Sequence, residues 1–128
     1  MKLLLDTCTF LWLASGSNEL SKPAGEAFLD TENELYLSAS SAWEISTKYA
    51  LGRLPLPKVP ELYIAEVRER SDIETLAIDE ESAIFTSRLP RWHTDPFDRI
   101  LVAQAIVHGM VIVTPDPEIR KYAARILW

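Results

Sequence analysis

Four carboxylates stand where the chain leaves a strand-like run or enters a helix-like one. They are Asp6 after LLL, Glu44 in SASSAWE, Asp98 in TDPFDR and Asp116 after VIVTP. Each has a purely local explanation. Asp6 and Asp116 can cap helices, with Pro117 suited to a first helical position. Ser41 and Glu44 have the spacing of a capping box. Asp95 can cap ahead of Pro96, and Asp98 in a first turn favours the helix dipole. Taken together, Asp6, Glu44, Asp98 and Asp116 support a different chemistry. Carboxylates held a few ångströms apart repel, and some must stay protonated unless a cation joins them. Their oxygens suit Mg²⁺ or Mn²⁺. One or two such ions can activate a water and stabilise the oxyanions of an in-line attack on phosphorus. If the fold gathers these four acids, they predict metal-assisted phosphodiester hydrolysis.

Strands alternating with helices would do the gathering. Lys2–Leu5 reads as a strand buried on both faces. Thr7–Ala14 reads as a helix, and Ser21 caps another through about Asp30, with Pro23 in its first turn. Glu34–Leu37 is a second strand. Ser41 opens a helix to Leu51, closed by Gly52. In Pro60–Arg70, residues Pro60, Tyr63, Ile64 and Val67 share one helical face. Ile73–Ile78 is a third strand, and Asp79 caps the helix after it. Phe97–His108, ended by Gly109, is apolar almost all round and so reads as buried. Val111–Thr114 is a fourth strand, Glu118–Ala123 a short helix, and Ile126–Trp128 a possible fifth, edge strand. This order implies an α/β fold with a mainly parallel sheet of four or five strands and helices on both faces. Sites in such sheets form beyond the carboxyl ends of the strands. The acids fall there.

The chain has 128 residues, with 48% hydrophobic and 25% charged. That suits a single globular domain, 1–128, able to bury a core without disulfides. LPLPKVP (54–60) is a stiff loop, too short to divide two domains. The single cysteine, Cys8, suits a reducing compartment. No apolar run is long enough for a membrane span. The first residues resemble the start of a signal peptide, but Asp6 interrupts the apolar region and no A-x-A site follows, so the cytoplasm is expected. The net charge of −6 argues against a nucleic-acid partner. Setting the four acids aside leaves 15 acids against 13 basic residues, which narrows the objection to the metal-free state.

The stretches LLLDT (3–7), SAWEISTKYALGRLPLP (41–57), HTDPFDRILVAQA (93–105) and VIVTPD (111–116) resemble PIN domains, and more narrowly VapC-type toxin ribonucleases. The resemblance covers essentially the whole chain. It implies a three-layer α/β/α fold, a Mg²⁺- or Mn²⁺-dependent endoribonuclease, a cognate antitoxin protein and a homodimer. It places Asp6, Glu44, Asp98 and Asp116 in the acidic quartet, with Thr7 and Thr114 as hydroxyls beside it. Asp95 and Arg99 fit the local DPFDR pattern as supporting residues. Pro115 departs from many relatives.

Other candidates carry two readings each. His93 is a loop histidine, or else a phosphate contact or proton shuttle. Cys8 reads as a buried structural thiol, since no sequence cue pairs it with a histidine. Arg99 reads as holding a neighbouring carboxylate, with phosphate as the alternative. Lys48 either pairs with Glu44 one turn earlier or meets RNA phosphate. Trp43 reads as core. Trp92, beside Arg91, is the better candidate for base stacking. Trp12, Phe10 and Leu13, like Leu54, Leu56 and Val59, belong to the core or to a groove for a partner peptide. Two other functions fit less well. A receiver-like phosphoacceptor domain also gathers acids and Mg²⁺, but no lysine follows Val111–Thr114 where one is needed. A non-catalytic PIN-like binding module would not need the intact quartet.

Overall fold

A computed structural model describes residues 1–128. Five strands form one sheet: β1 (Lys2–Leu5), β2 (Glu34–Ser38), β3 (Ile73–Leu76), β4 (Val111–Val113) and β5 (Arg125–Leu127). Their spatial order is β3-β2-β1-β4-β5, and every neighbouring pair is parallel. The helices are α1 (Thr7–Ser15), α2 (Lys22–Leu29), α3 (Ala39–Ala50), α4 (Pro60–Ser71), α5 (Glu80–Phe85) and α6 (Pro96–His108). Strand order runs outward in both directions from the β1–β4 pair. The crevice at their carboxyl ends is therefore a topological switch point, where α/β folds bind ligands.

The pleat of β1 explains the three layers. Leu3 and Leu5 face one side, packing with Leu35 and Leu37 of β2 and with Phe10, Ala24, Ile45 and Ile64 from α1 to α4. Leu4 faces the other side, packing with Ile112 and with Leu101, Val102 and Ala105 of α6. All three leucines are fully buried, so truncating any of them to alanine costs about 2–5 kcal/mol. Gly109 takes a left-handed φ of 66°, which lets α6 end abruptly and β4 start two residues later.

Local signals set most of the element starts. Asp6, Ser21, Asp79 and Asp95 each accept a backbone N–H in the first turn of the following helix. The start of α3 differs from expectation. Ser38 is its cap, not Ser41, and Ser41 lies buried inside the helix. Ser38 also donates to Gln104 at 2.6 Å, and Gln104 donates to the Ala77 carbonyl at 3.0 Å. This buried amide ties α6 to the ends of β2 and β3. Beyond β4, the expected helix over 118–123 is only one 3₁₀ turn, Ile119–Lys121. β3 ends at Leu76, two residues early. Trp43, expected in the core, is 63% exposed, with its edge against Phe97 at a ring distance of 5.0 Å. It sits beside the buried Glu44 but on the outer face of α3, one residue away from the packed stripe.

No helix is long and apolar enough to cross a membrane.

Candidate metal centre

Asp6 follows β1 and Asp116 follows the neighbouring β4, three residues past its end. Thr114 joins them. Its hydroxyl donates to Asp6 Oδ2, and its oxygen accepts the Asp116 N–H at 3.1 Å. The other Asp6 oxygen caps α1, accepting from Thr9 N at 2.8 Å, with the Cys8 thiol at 3.2 Å. Glu44 is similarly engaged. Thr7 donates to its Oε1 and Lys48 to its Oε2, each at 2.6 Å. Asp6 and Glu44 are buried, with both oxygens held by donors of the protein.

Asp98 and Asp116 are more open. Asp98 has one hydrogen-bond partner, His93 Nε2 at 2.6 Å, and Asp116 accepts one bond, from Glu118 N at 2.9 Å. Ligand atoms of His93, Asp98 and Asp116 all lie within 4.8 Å of one another. Asp6 and Glu44 stand outside this tightest group; Asp6 is joined to Asp116 through Thr114, and Glu44 is held by Thr7.

The electrostatics are those of a site short of positive charge. Burial pushes the Asp98 carboxyl up to about 6, and the charges of Asp95 and Glu44 act in the same direction against the opposing His93 hydrogen bond. The hydrogen bond to Glu44 raises the Lys48 ammonium, and Asp95 and Asp98 add to it. Three acids thus act on one another here, and the one ion pair Lys48 makes is with Glu44. Oxygen-rich donors at a partly buried, under-neutralised edge suit a hard divalent cation.

The remaining candidates fall as follows. Asp95 caps α6 through Phe97 N at 2.9 Å. Lys48 makes the ion pair with Glu44. Arg99 does not hold a carboxylate. Its guanidinium donates to the carbonyls of Thr86, Leu89, Pro90 and His93 and to the Tyr122 hydroxyl. Five directed bonds, four to carbonyls and one to a hydroxyl, anchor it, because α6 points this residue back under the preceding loop and away from Asp95 and Asp98. Arg91 and Trp92 are exposed on that loop, with Trp92 tilted against Tyr122 at 5.4 Å. His93, expected as a loop histidine or else a phosphate contact or proton shuttle, turns its ring to Asp98. Cys8 is half-buried, and burial together with Asp6 drives its thiol upward, so it is a poor nucleophile. Lys121 pairs with Glu118 and is not aimed at the acids.

Sequence reasoning missed two positioning residues. Gln104 was the one polar residue in an apolar helical run, which was its signal. Tyr122, whose hydroxyl accepts from His93 N at 3.0 Å, had none.

A family model described as "PIN domain" matches residues 3–125. The chain belongs to the PIN domain family. Ribonuclease VapC22 of Mycobacterium tuberculosis is 30% identical over 122 residues, covering 94% of this chain and 91% of that protein. Ribonuclease VapC16 of the same organism is 40% identical over 50 residues, 39% of this chain and 36% of its own length. The PIN domain is therefore of the VapC type. Two solved structures share its fold. One is VapBC2 from Rickettsia felis bound to a promoter DNA fragment, with a TM-score of 0.73, 12% identity and coverage of 98% of this chain and 97% of that one. The other is VapBC-1 from nontypeable Haemophilus influenzae, with a TM-score of 0.63, 16% identity and coverage of 98% and 96%.

Proposed function

We propose that this PIN domain, spanning 1–128, is a cytoplasmic VapC-type endoribonuclease that hydrolyses RNA phosphodiester bonds with Mg²⁺ or Mn²⁺. The observation that carries this reading is the clustering of Asp98 and Asp116 at the switch point, with buried Asp6 linked to Asp116 through Thr114 and the buried Glu44 charge acting on Asp98. One or two bound ions supply charge that activates water and offsets the developing oxyanions. Asp98 and Asp116 offer the ion their open oxygens. Asp6 and Glu44 supply further negative charge, and Thr114 and Thr7 hold their carboxylates in place. On this reading Lys48, Arg91, Trp92 and His93 are the candidates for contact with the RNA backbone and a base.

The same reading assigns a partner. A cognate antitoxin silences the enzyme, as the VapBC names of the structural neighbours suggest. Its apolar segment has a groove of about 580 Å³ available, lined by Leu11, Trp12, Leu54, Leu56 and Tyr63. A basic side chain beyond that segment would answer the acids. We further propose that the enzyme is a homodimer.

The test is cleavage of cellular RNA by the purified chain. Activity is expected to vanish with chelator, return with Mg²⁺ or Mn²⁺, and be absent in Asp98→Asn. Mapping RNA ends after a brief pulse of wild type against Asp98→Asn names the substrate. Full activity in Asp98→Asn sinks the assignment.

A further inference from the structure

We propose that His93 Nε2 is itself a ligand of the divalent ion, sharing it with Asp98 and Asp116, and that this nitrogen tilts the site toward Mn²⁺ over Mg²⁺. The inference rests on the ion binding at the carboxyl edge, as proposed above.

The molecule holds two histidines, and each pairs with an aspartate. The pair His108–Asp79 shows what an ordinary structural contact looks like here. His108 Nε2 lies 2.7 Å from Asp79 Oδ1. Asp79 is fully occupied otherwise, capping α5 by accepting from Ser82 N and Ser82 Oγ. No third ligand gathers around it. The pair His93–Asp98 differs in each respect. Asp98 accepts from nothing else, and Asp116 brings a second carboxylate within 4.8 Å of both.

The loop carrying His93 is also pinned on both sides of the residue. Its N–H is held by Tyr122 and its carbonyl by Arg99 at 3.3 Å, while Arg99 grips three further carbonyls of the approach. That bracing fixes where the ring lies, which a solvent-facing loop histidine does not require. Neighbouring corners of an octahedron with bonds of ~2.1 Å are ~3 Å apart, so ring and carboxylate need part only slightly to share an ion. Imidazole nitrogen binds first-row transition ions better than it binds Mg²⁺, which prefers oxygen alone, and Mn²⁺ shares that advantage though it is the weakest of the series. One nitrogen among carboxylates therefore discriminates in favour of Mn²⁺.

Electron spin-echo modulation of Mn²⁺ bound to the full, untagged chain tests this directly. Nitrogen modulation is expected in wild type and in His108→Gln, and its loss is expected in His93→Gln. Titration should show the Mn²⁺ dissociation constant rising about tenfold in His93→Gln, and that for Mg²⁺, read by competition, rising less than about threefold. Mn²⁺ bound to wild type without nitrogen modulation overturns the proposal and leaves the carboxylate site standing. Modulation that survives His93→Gln also overturns it. Wild type that binds no Mn²⁺ overturns the metal reading itself.

Discussion

The Thr114 hydroxyl donates to Asp6 across 108 residues of chain, and its oxygen also accepts the Asp116 N–H. One buried side chain thus sets the relative position of two acids on neighbouring strands. Thr114→Val keeps the shape and removes both bonds. Leaving the buried Asp6 oxygen without its donor should cost about 1–3 kcal/mol. Affinity for Mg²⁺ should fall roughly 10- to 100-fold, as when a partner that orients a ligand is lost. Denaturant melts and metal titration check both. Thr114→Ser, which keeps the hydroxyl, should recover most of the affinity.

Asp98 gives a pH dependence with a definite sign. Its folded value of about 6 lies above the ordinary 3.8, so the folded chain holds a proton that the unfolded chain releases. The associated stability is fully present below about pH 4 and is lost as pH rises through 6. Metal-free wild type therefore carries a penalty at neutral pH that Asp98→Asn lacks. In chelator at pH 7.5, Asp98→Asn should be the more stable by about 1–2 kcal/mol, and near pH 4 the two should converge. Adding Mn²⁺ should reverse the order, because only wild type gains binding energy. A variant less stable than wild type in chelator at pH 7.5 contradicts this account.

Arg99 braces the loop before α6 with a planar fork of donors. A lysine has charge but no fork. Arg99→Lys should lose about 1–3 kcal/mol and leave several carbonyls of residues 86–93 without donors. Amide exchange over 89–95 should quicken by at least roughly tenfold, with α1 and β1 unchanged. Uniform protection across the chain would show that the bracing is not local.

Cys8 should behave as a spectator. Burial and the neighbouring Asp6 charge both hold its thiol protonated. At pH 8 it should react with a disulfide reagent far more slowly than a free thiol, and Cys8→Ala should keep RNA cleavage within about threefold of wild type. Loss of cleavage in a folded Cys8→Ala would reopen a nucleophilic role.

Much of this was legible in the residues. LLL before Asp6 and VIV before Asp116 are short apolar runs bounded by polar residues, as buried strands are, and that reading sets their acids at strand ends. The caps at Ser21, Asp79 and Asp95 are local chemistry, so the sequence states them directly. Trp43 and Arg99 were misplaced for a different reason. A helix turns 100° per residue, and neither the phase of α3 nor that of α6 follows from the nearest polar neighbours. Trp43 is one residue from buried Glu44 yet faces out, and Arg99 is one residue from Asp98 yet points at carbonyls. The His93–Asp98 contact depends on the path of a loop fixed from Tyr122, and no spacing encodes that.

The net charge of −6 makes a last prediction about RNA. Four of the excess acids are concentrated at one edge, and Lys48 there is already committed to Glu44. Without an ion, that edge should repel phosphate; with one, it should admit it. Binding of a cleavage-resistant, 2′-O-methylated RNA isolates this effect from turnover. Wild type should bind at least roughly tenfold more tightly with Mg²⁺ than with chelator at equal ionic strength. The double variant Asp98→Asn with Asp116→Asn should bind more tightly than wild type in chelator, because two repelling charges are gone, and should gain little from Mg²⁺. The opposing directions are diagnostic. Had the acids been an ordinary solvated surface, removing two would shift affinity equally with and without the ion. If the wild type binds equally in both conditions, RNA is held elsewhere on the molecule.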